Sequence, residues 1–240
     1  MCDDHVNEEI SRRKALKIGG TAALMSMSGL VMPNSASAAS AGADIFHGRR
    51  NRPEVAITFH GSGDLVIARK ILAIAKKTST PISVMAVGVW LNANPSMGHE
   101  IVDAGNELGN HTYSHKTMTL LTLKEAKAEV AKGKAAVTKA VGTPGKWFRP
   151  SGTLKSNSII RAAAGASGYS HCLVYDVDSL DYTDPSAKAI VSNCLKSVQN
   201  GSIIGMHFGH AHTVSALPLL ITALHARNLT PVTVSQLLRA

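Results

Sequence analysis

EVAITFHGSGDLVIARKILAIAKKTSTPISVMAV, residues 54–87, is the stretch from which the fold is read. An apolar, β-prone run at 54–59 turns through Gly61-Ser62-Gly63 into 64–77, where Leu65, Ala68, Ile71, Leu72 and Ala75 recur three and four apart. That spacing lays them on one face of a helix. A second apolar run at 82–87 completes a strand–helix–strand unit, and strands joined by a crossover helix pair in parallel. The same alternation continues to the C-terminus. Helices are expected at 97–104, 122–141, 157–164, 185–198, 213–226 and 234–239, with strands at 107–109, 147–148, 171–175, 202–206 and 231–233. Gly142 to Gly145 breaks the long helix, Gly165 is expected to close the next, and Pro185 to open the one after in its first turn. Near-continuous apolar strands between helices predict an α/β fold with parallel strands inside and helices outside, either a barrel or a doubly wound sheet.

Composition agrees with one medium domain. The chain has 240 residues, 45% of them apolar and 17% charged, which suffices for a sizeable core and excludes a disordered chain. Three cysteines exclude a disulfide scaffold, and no apolar run reaches the roughly 20 residues of a membrane span. The net charge is +9 and the pI about 9.6. Aromatic residues are 4%, so stacking platforms for a long polymer are scarce.

The first 38 residues have the pattern of an export signal. Ser11-Arg12-Arg13-Lys14 is a twin-arginine pattern, a short apolar stretch follows from Ile18 to Met32, and Ala36-Ser37-Ala38 is a small-residue cleavage site. Acids and bases balance within 1–38, so the remainder keeps the whole +9. The organisation expected is a signal peptide at 1–38, a linker at 39–52 and a single domain at 53–240, exported to the cell envelope or secreted. There the charge favours anionic polymers, and nucleic acid is not expected as a partner. Cys172 and Cys194 either form a disulfide or stay as two buried thiols; the sequence leaves both open.

Polar residues gather at the C-terminal ends of the expected strands: His60, His111 and His115, Arg149, Asp176 and Asp178, and His207. In a parallel barrel those ends converge on one mouth, where active sites lie. His111 and His115, four residues apart, can bind one metal ion through neutral ring nitrogens. Arg149-Pro150 follows a strand, where a guanidinium can orient a carboxylate.

Thr58-Phe59, His111-x-x-x-His115, Phe148-Arg149-Pro150-Ser151-Gly152, the acidic run Asp176 to Tyr182 and Gly201 to His207 stand in one order. In that order and spacing they resemble the NodB-homology polysaccharide deacetylases, carbohydrate esterase family four, over residues 54–238. The resemblance implies a distorted (β/α) barrel holding a divalent metal, zinc by preference. It also implies removal of acetyl groups from N- or O-acetylated glycans such as peptidoglycan or chitin oligomers. It implies that His111 and His115 bind the metal, that Arg149 orients the base, that Asp181 holds His207, and that His207 is the acid. Tyr113, Pro150 and Tyr182 are the candidate substrate contacts.

The first motif departs from the family's Thr-Phe-Asp-Asp-Gly, reading Thr58-Phe59-His60-Gly61-Ser62-Gly63-Asp64. Two repairs stay open: His60 as third ligand with Asp64 as base, or Asp64 as ligand with His60 as base. Both need Asp64 to turn inward, whereas a helix cap would turn it to its own backbone. The other reading is a relative without activity that binds envelope glycan.

Overall fold

The computed structural model describes residues 39–239; residues 1–38, on which the export signal falls, and residue 240 lie outside the described residues. The opening unit forms as the sequence predicts. Strand β1 (Glu54–Gly61) leads through α1 (Leu65–Lys77) to β2 (Ser83–Ala86), which pairs with β1 in parallel, Thr58 opposite Ser83. Two short helices, α2 (Gly88–Ala93) and α3 (Ser96–Val102), precede β3 (Glu107–Asn110). The sequence pattern shows one helix there because Asn94-Pro95 divides a stretch too short for periodicity. Then come α4 (Leu123–Val141), α5 (Ser158–Ala166), β4 (Val177–Asp178), α6 (Ala187–Ser197), β5 (Ile203–His207) and α7 (Ala211–Ala226). The short β6 (Thr230–Pro231) and α8 (Val234–Leu237) follow.

The parallel sheet runs β3-β2-β1-β5-β4, with β6 against the start of β1. Beyond β3 the circuit is carried by single bonds. Asn110 N donates to Trp147 O and Arg149 N to Asn110 O, both at 2.9 Å, Leu173 N to Phe148 O at 2.8 Å, and Asp176 N to Ile203 O at 3.2 Å. The expected strands at 147–148 and 171–175 are therefore extended segments with isolated bridges at Phe148 and Leu173. No continuous ladder closes that side, so the barrel is distorted, and Pro150 has no N–H with which to extend the first segment.

Side-chain alternation separates two environments. Val55, Ile57 and Phe59 face the helices in the main core, as do Val84, Ile204 and Met206 of the neighbouring strands. Ala56, Met85, Trp147, Leu173 and Ile203 point inward and make an apolar floor, closed by Val234 and Leu237 of α8. Burying each large aliphatic side chain contributes about 1.5–3 kcal/mol, and this division fixes the register. Continuing the inward phase by twos carries β1 from Ala56 through Thr58 to His60, and β5 from Ile203 through Gly205 to His207. The two histidines are register partners.

Several local expectations change. Residues 39–52, read as a linker, pack along the domain: Ala41 N donates to Arg161 O, Val174 N to Ile45 O and Gly48 N to Gly201 O. Gly165 lies inside α5, not past its end; a Cβ there would sit 1.8 Å from Ala39 O, so it admits the arm, and the left-handed residue is Gly168, φ 83°. Pro185 precedes α6, whose cap is Ser186. Cys172 and Cys194 are both free, buried in separate clusters.

Candidate active site

Three imidazoles meet where β1 and β3 end. Ligand atoms of His60, His111 and His115 all lie within 4.8 Å of one another. His111 is buried, and its Nδ1–H donates to the Arg149 carbonyl at 2.9 Å, which fixes the tautomer and leaves the Nε2 lone pair free. The Nε2 atoms of His111 and His60 are buried with no hydrogen-bond partner. Burial holds both rings well below the usual imidazole pKa, helped by the neighbouring histidines and Arg149; His115 is lowered too, by burial and His207. Neutral imidazoles with orphaned lone pairs are the donor set of a Zn-type site, so these residues fit a divalent metal.

His115 arrives by a tight loop. Thr112 and His115 have left-handed φ of 64° and 58°. Glu129 of α4 holds the loop, its carboxylate accepting from Tyr113 N at 3.1 Å, Ser114 N at 2.8 Å and Ser114 Oγ at 2.6 Å. A carboxylate spaced like its lysine-rich neighbours on a helix gave no sequence signal. Gly133 lets α4 approach, since a Cβ there would lie 2.2 Å from Asn110 Oδ1.

Across the site, Asp181 Oδ1 accepts from His207 Nδ1 at 2.7 Å, while Oδ2 accepts from His207 N and Thr213 Oγ1, each at 2.8 Å. Burial alone would raise the Asp181 pKa, but the bonds from His207 and Thr213 outweigh it and hold it below the ordinary carboxylate value. His207 packs against His60 with ring centroids 4.3 Å apart and planes inclined by 50°. Arg149 is 1% exposed; its Nη2 donates to Thr58 Oγ1 at 2.8 Å and Val174 O at 3.1 Å, and the guanidinium lies 5.2 Å from the Tyr175 ring. A cleft of about 320 Å³ joins these groups, with His60, His115, Arg149, Tyr175, Asp178 and His207 on its wall and Pro150 and Tyr182 beside them.

Asp64 is not part of the site. Its Oδ1 accepts from Val66 N at 2.8 Å and Ile67 N at 3.1 Å, the N-cap of α1, and it is exposed. Both repairs that bring it to a metal or a water are thereby corrected, because the cap offers two backbone donors left orphaned by the helix start. Tyr113 is also corrected: it packs over Gly88, outside the cleft wall. Asp176 turns away to Arg50 at 2.7 Å and Ile203 N at 2.8 Å. Tyr175 and Asp178 take cleft positions that strand-end reasoning did not assign to the substrate. His210 pairs with Asp184 at 2.8 Å, and His212 is exposed.

The family model described as polysaccharide deacetylase matches residues 47–171, which includes the first motif, the histidine pair and the Arg-Pro segment. The chain belongs to the polysaccharide deacetylase family. Among curated deacetylase-family relatives it is 26% identical to a peptidoglycan-N-acetylglucosamine deacetylase of Bacillus cereus, over 79% of this chain and 90% of that protein. It is 27% identical to the uncharacterized protein YlxY of Bacillus subtilis over 81% of this chain, and spans 60% of that protein's length. Its fold is similar to the crystal structure of BA3943, a CE4 family pseudoenzyme from Bacillus anthracis. That likeness has a TM-score of 0.77 and 25% identity, covering 82% of this chain and 69% of that one. As a member of the polysaccharide deacetylase family, this chain combines the histidine pair with a first motif that brings no carboxylate to the cleft.

Proposed function

We propose that this chain is a metal-dependent hydrolase that removes acetyl groups from an N- or O-acetylated glycan of the peptidoglycan or chitin kind, after export by the twin-arginine route. The reading rests on one observation above all: His60, His115 and His207 share the wall of one cleft, with buried His111 grouped with the first two and buried Asp181 bonded to His207 behind it. His60, His111 and His115 would hold the ion, zinc by the preference of imidazole. The chemistry a divalent ion would supply there is Lewis acidity toward an acetyl carbonyl and toward water.

The remaining work falls to the chain's own groups. Asp181 keeps the His207 proton on Nδ1 and orients the ring, so Nε2 is the atom that takes a proton from water and returns one to the departing amine or hydroxyl. With Asp64 on its helix, His207 carries both transfers. Tyr182, its ring 5.4 Å from His207, provides an edge for a sugar face. A second reading, a glycan-binding relative without turnover, is favoured by the same missing carboxylates at His60 and Gly61.

Metal analysis of the purified protein, with acetate release from N-acetylglucosamine polymers, separates the two. Stoichiometric metal with release that His207→Ala abolishes while metal is retained supports the hydrolase. Glycan binding without metal or release supports the second reading. Turnover surviving in His207→Ala removes the assignment of both proton transfers to that ring.

A further inference from the structure

The large apolar side chains left open to solvent gather at one end of the domain. Among the described residues eight are exposed, and seven of them lie where strands finish and helices begin. Val66 and Val89 are the second residues of α1 and α2, Leu123 is the first of α4, and Leu120, Leu154, Leu180 and Tyr182 stand in the loops that follow β3, Phe148 and β4. Leu219, halfway along α7, is the exception. In a parallel fold these positions share the end on which the cleft opens, and Leu154 and Tyr182 border the cleft itself. Leu120 is 82% exposed and Leu154 48%. Their segments run side by side, since Met118 N donates to Ser151 O at 3.1 Å and Gly152 lies against Thr117. The same half is basic. Residues 112–127 and 150–157 carry Lys116, Lys124, Lys127 and Lys155 against Glu125 as their acid, and Glu125 is bonded to Thr122 at the start of its own helix. All four lysines are exposed, and none of the ion pairs among the described residues includes them.

We propose that this end of the domain docks on an anionic lipid bilayer, with Leu120 and Leu154 entering the boundary between headgroups and acyl chains while Lys116, Lys124 and Lys155 meet lipid phosphates. A folded protein partner needs a contiguous apolar patch and a matching shape. Here the leucines project singly from separate loops around a polar cleft, an arrangement that a fluid layer accommodates. Affinity for such a surface grows with the apolar area that enters it and with the attraction of cations to anionic headgroups. The contact is peripheral, since only side chains at loop tips and helix starts take part. The cleft then opens toward the bilayer surface, and what reaches His207 is what that surface presents. The inference goes beyond deacetylation, because it concerns where the cleft is held and not the reaction within it.

Co-sedimentation of the full chain with vesicles of phosphatidylcholine mixed with phosphatidylglycerol, and with vesicles of phosphatidylcholine alone, tests it. Binding should favour the anionic vesicles and fall with added salt. The apolar stretch at 18–32 is common to every variant, so the contribution of the mouth is read from differences between variants. Leu120→Asn should weaken partition about tenfold, as expected for withdrawing one leucine from an apolar layer. Lys124→Gln should weaken it about fivefold, the effect of one lysine near a charged surface. Both side chains are exposed, so the fold survives either change. Leu219→Asn, on the flank of α7, should leave partition unchanged. Equal binding to the two kinds of vesicle overturns the inference, as do mouth variants that bind like the unmodified chain or a loss that Leu219→Asn shares. A stable dimer that Leu120→Asn dissociates, in place of vesicle binding, would give the face to a second copy and overturns it as well. Acetate release from a soluble oligomer is independent of every one of these results.

Discussion

His60 and His111 are held neutral by burial, and that has a cost in acid. Their folded pKa values lie below the unfolded value near 6.5, so the unfolded chain binds more protons as pH falls. Their contribution is fully present above that value and is lost as pH drops through it toward the folded values. Thermal unfolding in chelator should therefore show Tm falling between about pH 7 and about pH 5, and His60→Asn should flatten the fall. An unchanged Tm across that window would show that these rings are protonated without penalty. Asp64 gives the complementary case. Asp64→Ala removes the α1 cap and should lower stability by about 1 kcal/mol in a denaturant titration. Metal content should stay that of the unmodified chain; a loss of metal would return Asp64 to the site.

Among the elements, α4 does more for the site than its surface pattern suggests. Glu129 shapes the loop on which His115 sits, and its carboxylate accepts three hydrogen bonds within it. Glu129→Ala strands those donors, at about 1–3 kcal/mol for a buried unsatisfied group, and should weaken metal affinity through His115 while His111 stays in place. Competition with a chromophoric chelator reads the affinity. Gly165 in α5 sets two effects against each other. Alanine would gain about 1 kcal/mol of helix propensity, yet its Cβ would sit 1.8 Å from Ala39 O and 2.7 Å from Ala41 N. Overpacking costs more than propensity returns, so Gly165→Ala should lower Tm and speed proteolysis within residues 39–48. The helices and the long strands were legible because their apolar residues repeat at 3.6 or 2. The arm at 39–52 was not, since Ala, Ser, Gly and Arg carry no period; it is held by backbone bonds and by Arg50 and Asp44, whose partners Asp176 and Ser156 N lie more than a hundred residues away.

At the scale of the molecule, the two thiols among the described residues report on the integrity of the core. Burial pushes Cys172 up to about 11 and Cys194 up to about 12, so neither should react with a thiol reagent at neutral pH until the chain unfolds, when both should react. Fast labelling of Cys172 or Cys194 in the native protein, located by peptide mapping, would contradict this. The parallel architecture followed from the sequence, and strand alternation, with parallel strands sharing an end, is why His60, His115, Arg149 and His207 line one cleft with His111 buried beside the first two. The bond between Asp181 and His207 came from the family resemblance, and the coordinates place those side chains together. Asp64 stood undecided between site and cap, since a carboxylate after a glycine turn has the same letters in either role. Only the folded chain decided it, by turning the carboxylate to two backbone donors at the start of its own helix. The burial of Arg149, with its Nε and Nη1 left without a partner, and the loop held by Glu129 likewise belong to the tertiary structure. Periodicity records which face of an element is buried, whereas the partner of a buried charge depends on segments far apart in sequence, and only packing sets their distance.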